Sequence, residues 1–155
     1  MSDEDVFDVD VYADPFSPAA PPVRLRTAEA EEPDEEEVPQ TYFGSADEWV
    51  RKFLLPSYRR RVTAKGQSAG DRWAAEWWSS VEALTRIEAL WRMWEEIRTS
   101  AGSLSAYWIN HLDPHMRVLL SPSGPFATST DENRAGEILP YTAPPAGMFP
   151  SDLQA

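Results

Sequence analysis

The sequence predicts an all-α fold, a small helical bundle with a tryptophan-rich core over residues 41–126. An acidic, disordered N-terminal tail (1–40) and an extended, proline-containing C-terminal tail (127–155) flank it. Three observations carry this prediction. All seven tryptophans lie between Trp49 and Trp108, and from Thr41 to Asp113 the only proline is Pro56. Within that stretch, apolar residues recur at the three-and-four spacing of a helix face, without the two-residue alternation of a strand.

Residues 1–40 are unlike the rest. They hold 13 Asp and Glu against Arg24 and Arg26, a net −11, whereas residues 41–155 hold 13 acids against 12 bases, a net −1. Most of the chain's net charge of −12 therefore sits in the tail. With six of the 14 prolines and the run EAEEPDEEE, this segment buries too little apolar surface to offset its ordering entropy. One part is distinctive. DEDVFDVDVYADPF (residues 3–16) alternates acids with Val6, Phe7, Val9, Val11, Tyr12 and Phe16. Such alternation suits a short recognition strand or helix kept soluble by its charges, and it equally suits a solubilising leader.

The helices follow in order. SADE (45–48) has capping-box spacing, with the Ser45 hydroxyl accepting a backbone N–H and Glu48 reaching back. The helix it opens carries Trp49, Val50, Phe53 and Leu54 on one face until Pro56 bends or ends it. GQSAG is a loop, after which Asp71 is placed to cap a helix bearing Trp73, Trp77 and Trp78. Ser79 and Glu82 repeat the capping-box spacing, so a break is expected near Ser79–Ser80. A longer helix then runs to about Arg98, with Leu84, Ile87, Leu90, Trp91, Trp94 and Ile97 facing the core. Glu82, Arg86, Glu88, Arg92, Glu95, Glu96 and Arg98 face solvent, with Glu88 and Arg92 at favourable i,i+4 order. TSAGS interrupts it. Ser105 is placed to cap a short helix containing Tyr107, Trp108 and Leu112, and Pro114 to begin another through Leu120. In the C-terminal tail, Ile138, Leu139, Tyr141, Met148 and Phe149 are the residues available to pin it to the helices.

Three features carry candidate chemistry. His111 and His115, the only histidines, flank Asp113-Pro114. On one continuous helix they would share a face, as a metal site needs. The residue before proline, however, is pushed out of helical geometry, and Asp followed by proline is a helix-start signal. The pair therefore reads as a helix junction; the weaker alternative is a metal-dependent enzyme using His111, Asp113 and His115. Among the tryptophans, Trp78 lies off the core stripe and is the candidate exposed or interfacial ring, in an oligomer interface or as a stacking platform. Finally, RKFLLPSYRRRVTAK (51–65) holds Arg51, Lys52, Arg59, Arg60, Arg61 and Lys65 and no acid. Such a cluster can bind phosphate or an acidic partner, or be a solvated helix end. The acidic run Glu29–Glu37 is close enough in sequence to fold back on it and compete with nucleic acid.

With no cysteine, disulfides and thiolate zinc sites are excluded. The start MSDEDVFDVD is the opposite of a basic signal peptide, and no apolar run approaches the ~20 residues that span a bilayer. A cytoplasmic protein without cofactor or membrane partner is expected.

In their order, WVRKFLLPSYRR, RWAAEWW, RIEALWRMWEEIR and YWINHLDPHMRVLLSPSGPF resemble the actinobacterial family catalogued as domain of unknown function 4913, over about Trp49–Phe126. Its members occur on plasmids, integrative elements and phages, which implies a mobile-element accessory role. The family carries no established activity or catalytic residues to transfer. Some relatives have Cys and His after the GPF segment, where this chain reads ATSTDENRAGE, so no metal role carries over there. The expected function is a non-enzymatic binding protein that contacts a protein partner through the acidic leader, the basic cluster or both. Direct nucleic-acid binding through Arg51–Lys65 is the alternative.

Overall fold

The computed structural model describes residues 40–67 and 69–153; the expectations for the leader lie outside them. Among the described residues the protein is all-helical, without strands. Helix α1 is continuous through three segments, Ala46–Trp49, a π-helical Val50–Leu54 and Leu55–Ser57. A 3-10 turn at Trp77–Ser79 precedes α2, Val81–Ile97. Helix α3 is again continuous, as Ser103–Tyr107, a π-helical Trp108–Leu112 and Asp113–Leu119.

Local chemistry sets the helix starts. Ser45 caps α1 by accepting the Glu48 N–H at 3.2 Å, and the Glu48 carboxylate accepts the N–H of Gly44 at 2.7 Å. The capping box therefore forms with its return bond displaced one residue outward. The predicted break near Ser79–Ser80 is present, with Ser80 rather than Ser79 as the α2 cap, accepting from Ala83. Ser105 does not cap α3. Gly102, at φ 80°, supplies the left-handed entry three residues before it, a conformation glycine adopts without a Cβ clash.

The expected helix junction at Asp113-Pro114 is absent. Asp113 is helical at φ −60° and ψ −44°, and α3 runs through it. Both prolines sit at the same place relative to a π segment. The residue before each donates to the carbonyl five residues back, Leu55 to Val50 and Asp113 to Trp108. The wider turn gives the proline ring room where an α turn would crowd a carbonyl. It also changes the burial period, since five residues then make about one turn. Trp49 and Leu54 are both fully buried, and so are Tyr107 and Leu112.

The core gathers Trp49, Trp73, Trp77, Trp91, Ile87, Leu90, Met116 and Leu119 between the helices. The Tyr107 hydroxyl donates to the Leu90 carbonyl at 2.8 Å, and burial pushes its pKa far above the ordinary tyrosine value. Tyr107→Phe is expected to cost about 1 kcal/mol, the net worth of a buried neutral hydrogen bond, read as a lower denaturant midpoint at unchanged slope.

Residues 71–76 form no helix, contrary to expectation. Their backbone is used elsewhere: the Arg72 N–H donates to Leu120 O at 2.8 Å, the Ala75 N–H to Asp131 Oδ2 at 2.7 Å, and Ala75 O accepts the Thr142 N–H at 3.0 Å. The Arg72 guanidinium is buried and donates to the carbonyls of Thr63 and Gly70, closing the 63–70 loop. Among the described residues no carboxylate pairs with it; carbonyl dipoles replace the hydration of Nη1, while the buried Nε has no hydrogen-bond partner.

The C-terminal segment has no regular structure, as expected, but it belongs to the same compact unit, Pro39–Ala155. Of the five expected anchors, Leu139, Tyr141 and Phe149 pack on the core, while Ile138 and Met148 are exposed. Asn133 is its hub: Oδ1 accepts the Val62 N–H at 2.8 Å, and Nδ2 donates to Arg60 O and Ile138 O. In the turn that begins this segment, a Cβ at Gly124 would collide with the Val118 carbonyl oxygen, which explains the glycine of SPSGPF.

Candidate binding surface

The basic cluster does not act as one surface. On α1, Arg51 pairs with Asp47 at 2.9 Å and Lys52 with Glu48. Asp47 also accepts the Tyr141 hydroxyl at 2.7 Å, and burial followed by that carboxylate pushes the Tyr141 phenol up to about 12. Beyond the helix, Arg59 donates to Pro56 O and Gly136 O. Arg60 lies over the Tyr58 ring, 4.2 Å from its centroid. Among the described residues, only Arg61 and Lys65 of the six have side chains with neither a carboxylate nor a hydrogen-bond partner.

Trp78 is half-buried rather than a free platform. Its indole N–H donates to Thr142 O at 3.0 Å, so the ring holds the C-terminal segment. The neighbouring Trp77 ring meets Phe149 at 5.4 Å.

His115 lies against Arg86, with Nη1 3.3 Å from the imidazole Nδ1. Burial, then the Arg86 charge and His111, hold its pKa below the ordinary histidine value. The described residues contain no group of three His, Cys, Asp or Glu able to hold a metal. A folded pKa below the unfolded one means that the unfolded chain takes up the proton first as pH falls. Stability is therefore expected to drop as pH is lowered from about 7.5 through the unfolded value near 6.5. His115→Gln should flatten that part of a plot of Tm against pH.

The most extensive feature is a row of aromatic rings on the side where the described chain begins. Tyr42 stands 5.8 Å from Trp94, Trp94 5.4 Å from Phe53, Phe53 6.5 Å from Trp108 and Trp108 5.9 Å from Tyr58. Arginine closes both ends, Arg98 over Tyr42 at 5.6 Å and Arg60 over Tyr58. Phe53, Trp94 and Trp108 are partly exposed, and Tyr42 is 64% exposed. On α3, which also carries Trp108, Leu104 is 48% and Ile109 65% exposed.

Glu95 fixes one end of this row. Expected on the solvent face, its side chain is 8% exposed. It accepts the N–H groups of Tyr42 and Phe43, both at 2.8 Å, the Trp91 indole N–H at 3.1 Å and Arg98 Nε at 2.9 Å. Its position one turn from Trp91, at the edge of the apolar stripe, was the available signal. The row left no such signal, because its rings come from three helices and the entering chain.

Two shallow grooves lie beside the C-terminal segment. One, about 330 Å³, is lined by Leu84, Trp91, Arg92, Met148 and Phe149. The other, about 390 Å³, is lined by Asp47, Arg51, Tyr141, Pro144 and Phe149. Both are shallow, and Arg92 at the first is paired with Glu88 and Asp152.

These features define a small all-helical domain, braced by its own C-terminal segment and presenting an aromatic face bounded by arginines. The chain belongs to the family described as a domain of unknown function (DUF4913), which matches residues 43–147. That match reaches past Phe126 into the C-terminal brace. No curated protein and no solved structure matches the chain. No described helix is long and apolar enough to cross a membrane.

Proposed function

We propose that this is a non-enzymatic accessory binding protein whose aromatic face takes a protein partner. The carrying observation is the row from Tyr42 through Trp94 and Phe53 to Trp108, with Tyr58 buried at its far end, and the exposed Leu104 and Ile109 on the helix that carries Trp108. Partly exposed aromatic rings flanked by arginine are the composition of interface hot spots. An actinobacterial host, a mobile element and a cytoplasmic location belong to the same proposal and rest on the family resemblance and the chain's composition.

Direct nucleic-acid binding is the second reading, favoured by Arg61 and Lys65, which have no partner among the described residues. It is weaker because binding to a duplex draws on several free cations, each neutralising a phosphate, and four of the six bases here are engaged within the domain.

The test is capture from host extract with wild type, Ile109→Glu and the double variant Arg61→Glu/Lys65→Glu. A nuclease-resistant partner lost with Ile109→Glu, by about tenfold or more, is the expected result. Binding that nuclease removes, and that only the double variant abolishes, would transfer the function to nucleic acid.

A further inference from the structure

The C-terminal segment is held in a way that defines a ligand. We propose that the surface under residues 141–150 is a site for an extended, proline-rich peptide. The chain's own segment occupies it, and a proline-rich segment of a partner protein takes its place. The site is separate from the aromatic row, so this goes beyond the function proposed for that face. Three observations carry it.

The first is how the segment is bound. It runs from Ile138 to Pro145 without a turn or bend. Pro140, Pro144 and Pro145 fix their own φ and push Leu139, Ala143 and Pro144 towards polyproline II geometry. Two indoles donate to alternate carbonyls, Trp73 to Pro140 O at 2.9 Å and Trp78 to Thr142 O at 3.0 Å. Between them, the Thr142 N–H donates to Ala75 O at 3.0 Å. Aromatic-lined grooves are what peptide-binding domains use for such segments, whose preset conformation costs little to order. Bonds to the main chain make no demand on side-chain identity, so another sequence in the same conformation satisfies them.

The second is how little holds residues 141–150. Leu139 is fully buried, but no residue from Tyr141 to Pro150 is buried, and most are exposed. Two side chains anchor the stretch, the Tyr141 hydroxyl on Asp47 at 2.7 Å and the Phe149 ring 5.4 Å from that of Trp77. Past it, Asp152 ties the chain down, its N–H on Gly44 O and its carboxylate paired with the half-exposed Arg92. Residues 141–150 can therefore leave while Leu139 and the bonds of Asp131 and Asn133 stay in place.

The third is fit. The groove of about 390 Å³ beside Tyr141 is bordered by Ala143 and Gly147 of the segment itself. These small residues leave it open. A partner segment with a larger apolar residue in place of Ala143 buries surface that the chain's own segment does not.

The resident segment is a competitor. Its local concentration is on the order of millimolar, and apparent affinity for a partner falls by the fraction of time the site is open.

The experiment uses the full chain, labelled with nitrogen-15, and a synthetic peptide of residues 141–150 carrying Ala143→Leu. Saturable shifts of the Trp77 and Trp78 indole N–H signals are expected, with those of Trp94 and Trp108 unmoved. Phe149→Ser in the full chain loosens the resident segment and should tighten peptide binding at least roughly fivefold. Should that variant unfold, Asp152→Ala, which removes only an exposed ion pair, serves in its place. A peptide with Pro144→Ala/Pro145→Ala should bind at least about fivefold more weakly, having lost its preset conformation. No saturable shift up to about 5 mM peptide, several times the resident segment's local concentration, would overturn the proposal. So would equal binding of the proline-free peptide. Loss of the peptide's effect as the full chain dimerises would assign the site to a second copy and overturn it too. Ile109→Glu should leave these shifts unchanged, so failure here and failure of the aromatic-face reading are told apart.

Discussion

Removal of residues 127–155 is expected to abolish cooperative unfolding and leave a chain that aggregates. The loss takes away Leu139, which is fully buried, and Phe149 and Tyr141, which pack on the core. Full burial of such a side chain contributes about 1.5–3 kcal/mol and partial burial less, so the three together are a large share of the ~5–15 kcal/mol of a whole domain. The deletion also strips partners from buried or half-buried groups that remain. The Trp73 indole N–H loses Pro140 O, the Trp78 indole loses Thr142 O, and the Ala75 amide loses Asp131. The check is a thermal melt followed by near-ultraviolet circular dichroism. A truncated protein retaining a sharp transition within a few degrees of wild type would show that residues 127–155 do not brace the core. Asn133→Ala is the milder version. Losing its three hydrogen bonds is expected to cost about 2 kcal/mol, allowing ~0.5–1.5 each with partial replacement by water.

The second large effect is expected at Glu95. Glu95→Ala leaves the Trp91 indole and the amides of Tyr42 and Phe43 without their acceptor in a nearly buried position. Hydrogen bonds to a charged acceptor contribute about 1.5–3 kcal/mol, so a cost of about 3 kcal/mol or more is expected. Glu95→Gln should recover part of it, since one oxygen still accepts. The amides of residues 41–43 should exchange with solvent faster in the alanine variant. Melting within 2 °C of wild type would contradict the role of Glu95 as the anchor of the entering chain. Because that anchor sets one end of the aromatic row, the alanine variant should also weaken partner capture, whereas His111→Ala should leave capture unchanged.

The sequence and the structure divide along a physical line. Helix α2 was legible because its apolar stripe, its serine cap and its i,i+4 ion pairs are interactions among residues within five positions of one another. The start of α1 was legible for the same reason, and so was the break before α2. The tryptophan-rich core followed from volume and composition.

Where sequence reading failed, the deciding contact lay far along the chain. Asp71–Trp78 carries local helix signals, yet its backbone bonds go to Leu120, Asp131 and Thr142. Those longer-range bonds outweigh local propensity. Asp113-Pro114 reads locally as a helix start, but a π turn accommodates the proline and keeps Tyr107 and Leu112 together in the core. Neither alternative differs in local sequence; the difference lies in what the helix buries.

Sequence alone thus determined the helical class, the main helix, the composition of the core and the separation of acidic leader from nearly neutral domain. Only tertiary structure decided that the C-terminal segment braces the core, that the basic cluster is largely paired within the domain, and that rings from three helices line up beside the entering chain. Local order depends on neighbours in sequence, whereas a surface is made by residues that folding brings together, and no short-range signal records which ones those are.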